Sequence, residues 1–153
     1  MANIAQMVNV LQAVILTKDE QMVLTPTYYV FKMYNVHHGA KLIPLNLKVE
    51  DYELDGRKIP ASNASASIRD GVVSITFTNL NPNKPVKMEV ELTGYDIKKG
   101  SGKIVTAQNI TDYNDFGQPE KVTLKDFEVA KPKGNKLVIE LPAKSVVLVQ
   151  LEQ

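Results

Sequence analysis

The chain has 153 residues, and 18 Lys and Arg side chains against 17 Asp and Glu give it a formal net charge of +1. This length suits one domain with a sizeable core, whereas a complete (α/β)8 barrel typically needs about 250 residues and is excluded. The nearly balanced charge lacks the basic excess that usually holds a phosphate backbone, so we expect no nucleic-acid partner.

Cysteine is absent from the sequence, which excludes a disulfide framework and a thiolate zinc site. The first residues show neither a basic region nor a signal-peptide cleavage pattern, and the apolar stretches are far shorter than the roughly 20 residues that span a bilayer. We therefore expect no membrane partner. The cytoplasm is the favoured compartment, although a signal peptide on a longer polypeptide would lie outside this sequence.

The first stretch carries two conflicting patterns. Apolar residues at Ile4, Met7, Val8, Leu11 and Ile15 recur at the spacing of one helix face. The same stretch is rich in β-branched residues, which equally indicate a buried parallel strand. Periodicity alone leaves both interpretations open.

Thr25-Pro26 predicts the start of a helix. Thr can accept hydrogen bonds from first-turn amides as the N-cap residue, and Pro at the first helical position loses no needed donor. Aromatic and apolar residues follow at helical spacing, and Gly39 can supply the left-handed residue that ends the helix. The sequence therefore predicts a helix near residues 26–38.

After Gly39 the apolar period changes to two, as in strands with one buried face. Four such faces are Leu45, Leu47 and Val49; Val73, Ile75 and Phe77; Met88, Val90 and Leu92; and Leu137, Ile139 and Leu141. Turn signals separate them, notably Asp-Gly at 55–56 and 70–71. The pattern predicts a mainly β protein, an antiparallel β-sandwich with a short, helix-containing N-terminal lead. The last segment, 146–151, is too apolar for a sheet edge and is predicted to pair centrally or against the lead.

Four strings carry a resemblance to a known family: ANIAQMVNVLQAVIL, TPTYYVFKMYNVHHG, GVVSITFTNLNP and LPAKSVVLVQL. In this order they resemble the C-terminal part of glycoside hydrolase family 51, the α-L-arabinofuranosidases, over Ala2 to Leu151. In that family an (α/β)8 barrel carries both catalytic glutamates and a β-sandwich of the jelly-roll type follows. The resemblance implies that residues 1–40 are the remnant of the last barrel unit and that 41–153 are the C-terminal sandwich. The missing barrel of the same polypeptide is then the expected partner.

No catalytic residue is expected in this chain. A retaining glycosidase needs two carboxyl groups about 5 to 5.5 Å apart. Glu89 and Glu91 share a strand face, but they alternate with apolar residues that take the core side, so both should lie in water. The family's acid/base Glu follows an Asn, and no Asn-Glu dipeptide occurs here. The resemblance implies an inactive fragment of an enzyme that removes terminal α-L-arabinofuranosyl residues from arabinose-containing polysaccharides with retention.

One residue is a candidate for contact with the substrate. The resemblance places Gln6 near the mouth of the last barrel strand, where family members use a Gln to hydrogen-bond the bound arabinofuranose. An amide offers both a donor and an acceptor to a sugar hydroxyl. The alternative is a polar residue without a role.

No metal site and no cofactor are predicted. His37 and His38 are adjacent, so on a helix they point about 100° apart and cannot chelate one ion. A His in the last helical turn is explained more simply by the helix dipole. Asp112 begins a stretch that does not match the calcium-loop register, because position five is Phe116.

A carbohydrate-binding module is the rival interpretation, since sandwiches of this type often bind sugars. The chain has no Trp, and four of its aromatic residues fall in the predicted helix, which leaves Tyr52, Tyr95 and Tyr113 as sugar-stacking candidates. A lead that normally packs on a barrel would also expose apolar side chains. We therefore expect either self-association of the isolated chain through the lead, with a homo-oligomer as one outcome, or disorder at the N-terminus of the lead.

Overall fold

A computed structural model of the protein describes residues 4, 6–11 and 13–153. Within them the secondary structure is mainly β. The strands are β1 (Ile15–Lys18), β2 (Gln21–Leu24), β3 (Lys41–Ile43), β4 (Asp51–Leu54), β5 (Arg57–Pro60), β6 (Ser62–Arg69), β7 (Val72–Asn79), β8 (Val86–Glu91), β9 (Lys99–Thr106), β10 (Lys125–Phe127), β11 (Lys136–Leu141) and β12 (Ser145–Glu152). The helix α1 spans Pro26–Tyr34 and continues as a 3₁₀ turn, Asn35–His37. None of the described helices is long and apolar enough to cross a membrane.

The main sheet has six antiparallel strands in the order β10-β9-β12-β7-β6-β3. The last strand, β12, lies between β9 and β7, with Val147 opposite both Ile104 and Phe77. The prediction of a central position for the apolar C-terminal segment is therefore confirmed. A strand that pairs on both edges and is covered on both faces can be apolar throughout.

The second layer is the antiparallel pair β8-β11. The core lies between this pair and the inner face of the main sheet. Three of the four predicted strand faces supply it: Val73, Ile75 and Phe77; Met88 with Val90 and Leu92; and Leu137, Ile139 and Leu141. The predicted antiparallel sandwich is confirmed, because period-two alternation reports directly which side chains one face can bury.

Both Asp-Gly pairs form the predicted hairpin turns. Asp55 and Gly56 connect β4 to β5 with φ of 50° and 74°, and Asp70 and Gly71 connect β6 to β7 with φ of 52° and 80°. Two successive positive φ angles identify turns whose twist matches the flanking strands.

The remaining predicted strand, with Leu45, Leu47 and Val49 on one face, is wrong. Strand β3 ends at Ile43, and residues 44–50 belong to no ladder. Pro44 has no amide hydrogen to donate, which explains why pairing with β6 stops there. Leu45 and Leu47 are consequently 44% and 41% exposed, although Val49 packs against the core.

The lead packs on the outer face of the main sheet. Met33 of α1 is buried in a second cluster with Val105, Val122 and Leu148. The first stretch is neither a helix nor a regular strand where it is described: residues 6–11 form a loop with one isolated parallel bridge, between Val8 and Ile15. Residues 15–24 form the antiparallel β1-β2 hairpin.

Thr25 does not have the predicted role. No hydrogen bond joins its side chain to the first turn of α1. Its hydroxyl instead donates to the carbonyl oxygens of Ala13, at 2.7 Å, and Val14, at 3.1 Å. Thr25 therefore fastens the preceding loop to the start of the helix, while Pro26 takes the first helical position as predicted.

Candidate functional site

Gln6 is exposed and belongs to a loop that the structure describes over residues 6–11. The Met7 carbonyl oxygen accepts hydrogen bonds from the amides of Val14, at 3.0 Å, and Ile15, at 2.9 Å. Asn9 adopts a positive φ of 53°, and its side-chain carbonyl oxygen accepts from the Thr17 amide at 2.7 Å. These bonds hold the loop and present Gln6 to solvent. The role of Gln6 in sugar binding stays a prediction.

The same loop exposes large apolar side chains. Met7 and Val8 are exposed, and Leu11 is 93% exposed. On the neighbouring hairpin Met22 is also exposed, as is Phe31 on α1. A contiguous exposed apolar patch is typical of an interaction surface, and Met7, Val8 and Leu11 lie close together along one loop. We call Met7, Val8, Leu11 and Met22 the lead apolar surface.

The lead is joined to the sandwich through a buried amide that sequence reasoning missed. Asn114 is 2% exposed. Its Nδ2 donates to the carbonyl oxygens of Leu24, at 2.8 Å, and Val122, at 2.7 Å, while its Oδ1 accepts from the Val122 amide at 2.7 Å. An Asn in a polar loop gives no sequence signal that it will be buried. Its burial depends on backbone groups elsewhere in the fold that can form hydrogen bonds with it.

His37 makes a second junction between the lead and the main sheet. Its Nδ1 lies 2.7 Å from the Ser67 hydroxyl and its Nε2 lies 3.0 Å from the Thr76 hydroxyl. Burial lowers the pKa of His37 below its ordinary value of 6.5. The helix dipole is therefore not the whole explanation, since the imidazole also contacts hydroxyl groups on two neighbouring strands, β6 and β7.

The two carboxylates that share one face of β8 lie in water. Glu89 and Glu91 are both exposed on β8, as predicted, and Glu91 pairs with Lys136 at 3.3 Å. They form a solvated strand face, and neither shows the apolar setting that a general acid requires.

Asp112 has a structural role in its loop. It accepts from the Asn109 amide at 2.9 Å and pairs with Lys121 at 3.0 Å. The Asn109 N–H and then the Lys121 ammonium hold the pKa of Asp112 below its ordinary value. Across the described residues, no group of three or more His, Asp or Glu side chains has the arrangement of a metal site.

The tyrosines considered as sugar platforms do not form one. The Tyr95 hydroxyl lies 2.7 Å from the Gly71 carbonyl oxygen and 2.8 Å from that of Leu151, and the residue packs against the core. Tyr52 is half-buried, and Tyr113 is 58% exposed on a different loop. Stacking against a sugar needs flat, accessible rings, which this arrangement does not group together.

Comparisons with known proteins identify the family. A family model described as the α-L-arabinofuranosidase C-terminal domain matches residues 1–145. An intracellular exo-α-L-arabinofuranosidase of Bacteroides ovatus is 45% identical over 154 residues, which are 99% of this chain and 30% of that protein. The chain thus spans less than a third of this relative.

Comparison with solved structures gives the same family. The crystal structure of the GH51 arabinofuranosidase from Xanthomonas axonopodis pv. citri matches with a TM-score of 0.94 and 41% identity, over 99% of this chain and 31% of that one. The structure of a family 51 α-L-arabinofuranosidase from Bifidobacterium longum shares the fold, with a TM-score of 0.84 and 21% identity over 97% of this chain and 30% of that one. The chain belongs to the α-L-arabinofuranosidase C-terminal domain family.

Proposed function

We propose that this chain is the accessory β-sandwich of an α-L-arabinofuranosidase and that it has no hydrolytic activity alone. The family match over residues 1–145, together with coverage of only 30% of a relative of this activity, carries the proposal. The exposure of Glu89 and Glu91 supports it, because neither side chain lies in the apolar setting that the acid of a catalytic pair requires.

The complete enzyme would hydrolyse terminal α-L-arabinofuranosyl residues from arabinose-containing polysaccharides with retention. Retention requires two carboxyl groups, one as nucleophile and one as acid and base, and we place both on the barrel outside residues 1–153. Gln6 would hydrogen-bond the bound sugar from the end of the last barrel strand.

The partner of the lead would be the catalytic barrel of the same polypeptide. We propose residues 1–40 as the last unit of that barrel and 41–153 as the sandwich. The lead apolar surface supports this division, since Met7, Val8 and Leu11 follow Gln6 closely along the same loop and are exposed. The buried contacts of Asn114 and His37 would then fix the position of the sandwich relative to the loop that presents Gln6.

The compartment that we propose is the cytoplasm. The relative from Bacteroides ovatus is named as intracellular. A homo-oligomer remains a proposal as well, supported by the exposed apolar side chains of the lead.

The Gln6 assignment is tested in the longer polypeptide. Loss of a hydrogen bond to the sugar costs about 1–3 kcal/mol, so Gln6→Ala should lower kcat/KM about 5- to 150-fold on an aryl α-L-arabinofuranoside. Gln21→Ala is the matched control, because Gln21 is also exposed in the lead. Equal activities of both variants would exclude Gln6 from the sugar site.

Affinity electrophoresis on arabinan gels tests the rival function. The isolated chain should migrate as in a gel without polysaccharide. Retardation by arabinan would instead favour a carbohydrate-binding module, and no grouping of exposed aromatic rings in the described residues supports that outcome.

A further inference from the structure

The smaller sheet has an open edge. Strand β8 pairs with β11, and within the described part of the chain no other strand pairs with it. A strand edge with unpaired amides and carbonyls is a template for another strand.

A groove of about 1,260 Å³ lies beside that edge. Residues 44–50 line one wall and β8 lines the other, while Ile75 and Phe77 of the main sheet line the groove between them. An open groove over core residues is an unusual feature in a sandwich, whose two layers normally interdigitate.

Residues 44–50 have the length and the pattern of the missing strand. The segment is fixed at both ends, because Ile43 pairs with Ala66 and the Glu50 carbonyl oxygen accepts from the Ala61 amide at 2.8 Å. Seven residues as a strand reach about 23 Å, which exceeds the length of the six-residue β8. Leu45 and Leu47 remain substantially exposed at the groove instead of filling it.

In one antiparallel register with β8, the residues on both faces of such a strand would lie opposite suitable partners. This register places Leu45, Leu47 and Val49 opposite Leu92, Val90 and Met88 on the core side. The same register places Lys48 opposite Glu89 and Glu50 opposite Lys87 on the solvent side. Opposite charges directly across a pair of strands are favourable and like charges are not. A parallel alignment with Lys48 beside Glu89 would bring Glu50 against Glu91, which excludes it on charge.

We propose that residues 44–50 form a strap that closes onto the free edge of β8 as a third antiparallel strand, in the register that pairs Lys48 with Glu89. Closure inserts the two exposed leucines into the groove and removes the open edge. The structure shows the open arrangement of this two-state element.

Cysteine cross-linking tests both the closure and its register, because the natural sequence contains no Cys. Directly opposite residues have Cβ atoms about 4.5–5.5 Å apart, within reach of a disulfide, whereas diagonal neighbours are farther apart. Lys48→Cys combined with Glu89→Cys should oxidise within one chain at least roughly 10-fold faster than the register-shifted pair Lys48→Cys with Glu91→Cys. Equal rates, no intramolecular disulfide, or only disulfides between two chains would each overturn the proposal.

Amide exchange provides a readout in the unmodified chain. The amides of Leu45 to Val49 that face β8 should have protection factors at least roughly 10-fold higher than that of the Gly56 amide at an exposed hairpin tip. Lys48→Glu should remove this protection through repulsion of Glu89, and the charge swap with Glu89→Lys should restore it. Unprotected amides in the natural sequence, or no rescue by the swap, would contradict the strap.

Discussion

Replacement of Asn114 by Ala should lower the free energy of unfolding, because the Asn114 side chain links the lead to the sandwich. The substitution leaves three backbone groups without their partners: the Val122 amide, the Val122 carbonyl and the Leu24 carbonyl. Each buried group left unsatisfied costs about 1–3 kcal/mol. Water can reach the partly buried Leu24 contact, so we expect a total loss of roughly 3–5 kcal/mol from the free energy of unfolding.

Urea denaturation followed by circular dichroism measures this loss. With an m-value of about 2 kcal/mol/M, the unfolding midpoint of Asn114→Ala should fall by about 1.5–2.5 M. The control is Asn63→Ala, which removes an exposed amide from β6 and should change stability by less than about 0.5 kcal/mol. A loss below about 1 kcal/mol for Asn114→Ala would contradict a stabilising role for Asn114, since it would mean that the three bonds contribute no more than an exposed side chain.

Three further predictions concern the sheet and its junctions. Gly102→Ala should lower the melting temperature, because the added Cβ would lie 2.8 Å from the Phe127 carbonyl oxygen; an unchanged thermal scan would contradict this contact. Ser62→Ala should leave the free energy of unfolding unchanged or raise it by about 1 kcal/mol, because the Ser62 hydroxyl is buried without a hydrogen-bond partner among the described residues; a clear loss in urea denaturation would count against it. Stability should decrease as the pH falls below 6.5, because burial lowers the folded-state pKa of His37 and the unfolded chain takes up the proton first. In urea titrations from pH 7.5 to 5, His37→Gln should flatten this dependence more than His38→Gln, and equal profiles for both variants would contradict it.

The sequence predicts the sandwich well where period-two alternation coincides with actual burial. The faces that contain Ile75 and Ile139 are buried as predicted, and the apolar C-terminal strand is central. The alternation at Leu45 and Leu47 predicts a strand that the structure does not pair. Alternation predicts which side chains can be buried together, but it does not predict whether the segment pairs with the edge of a neighbouring strand.

The candidate site depends on information that local patterns do not contain. Gln6 is singled out by resemblance to family 51, and its exposure is a structural finding. The roles of Asn114 and His37 arise from partners 90 and 30 residues away along the chain. Hydrogen bonds between such distant residues follow from the packing of α1 on the main sheet, which no periodicity within the lead reveals.

Hydrolysis of p-nitrophenyl α-L-arabinofuranoside by this chain, beside the longer polypeptide that contains it, tests whether activity needs the part of the enzyme outside residues 1–153. We expect release of p-nitrophenol by the longer polypeptide and none above the uncatalysed rate by residues 1–153. Comparable turnover by the isolated chain would contradict this expectation, because the described carboxylates would then have to supply a catalytic pair.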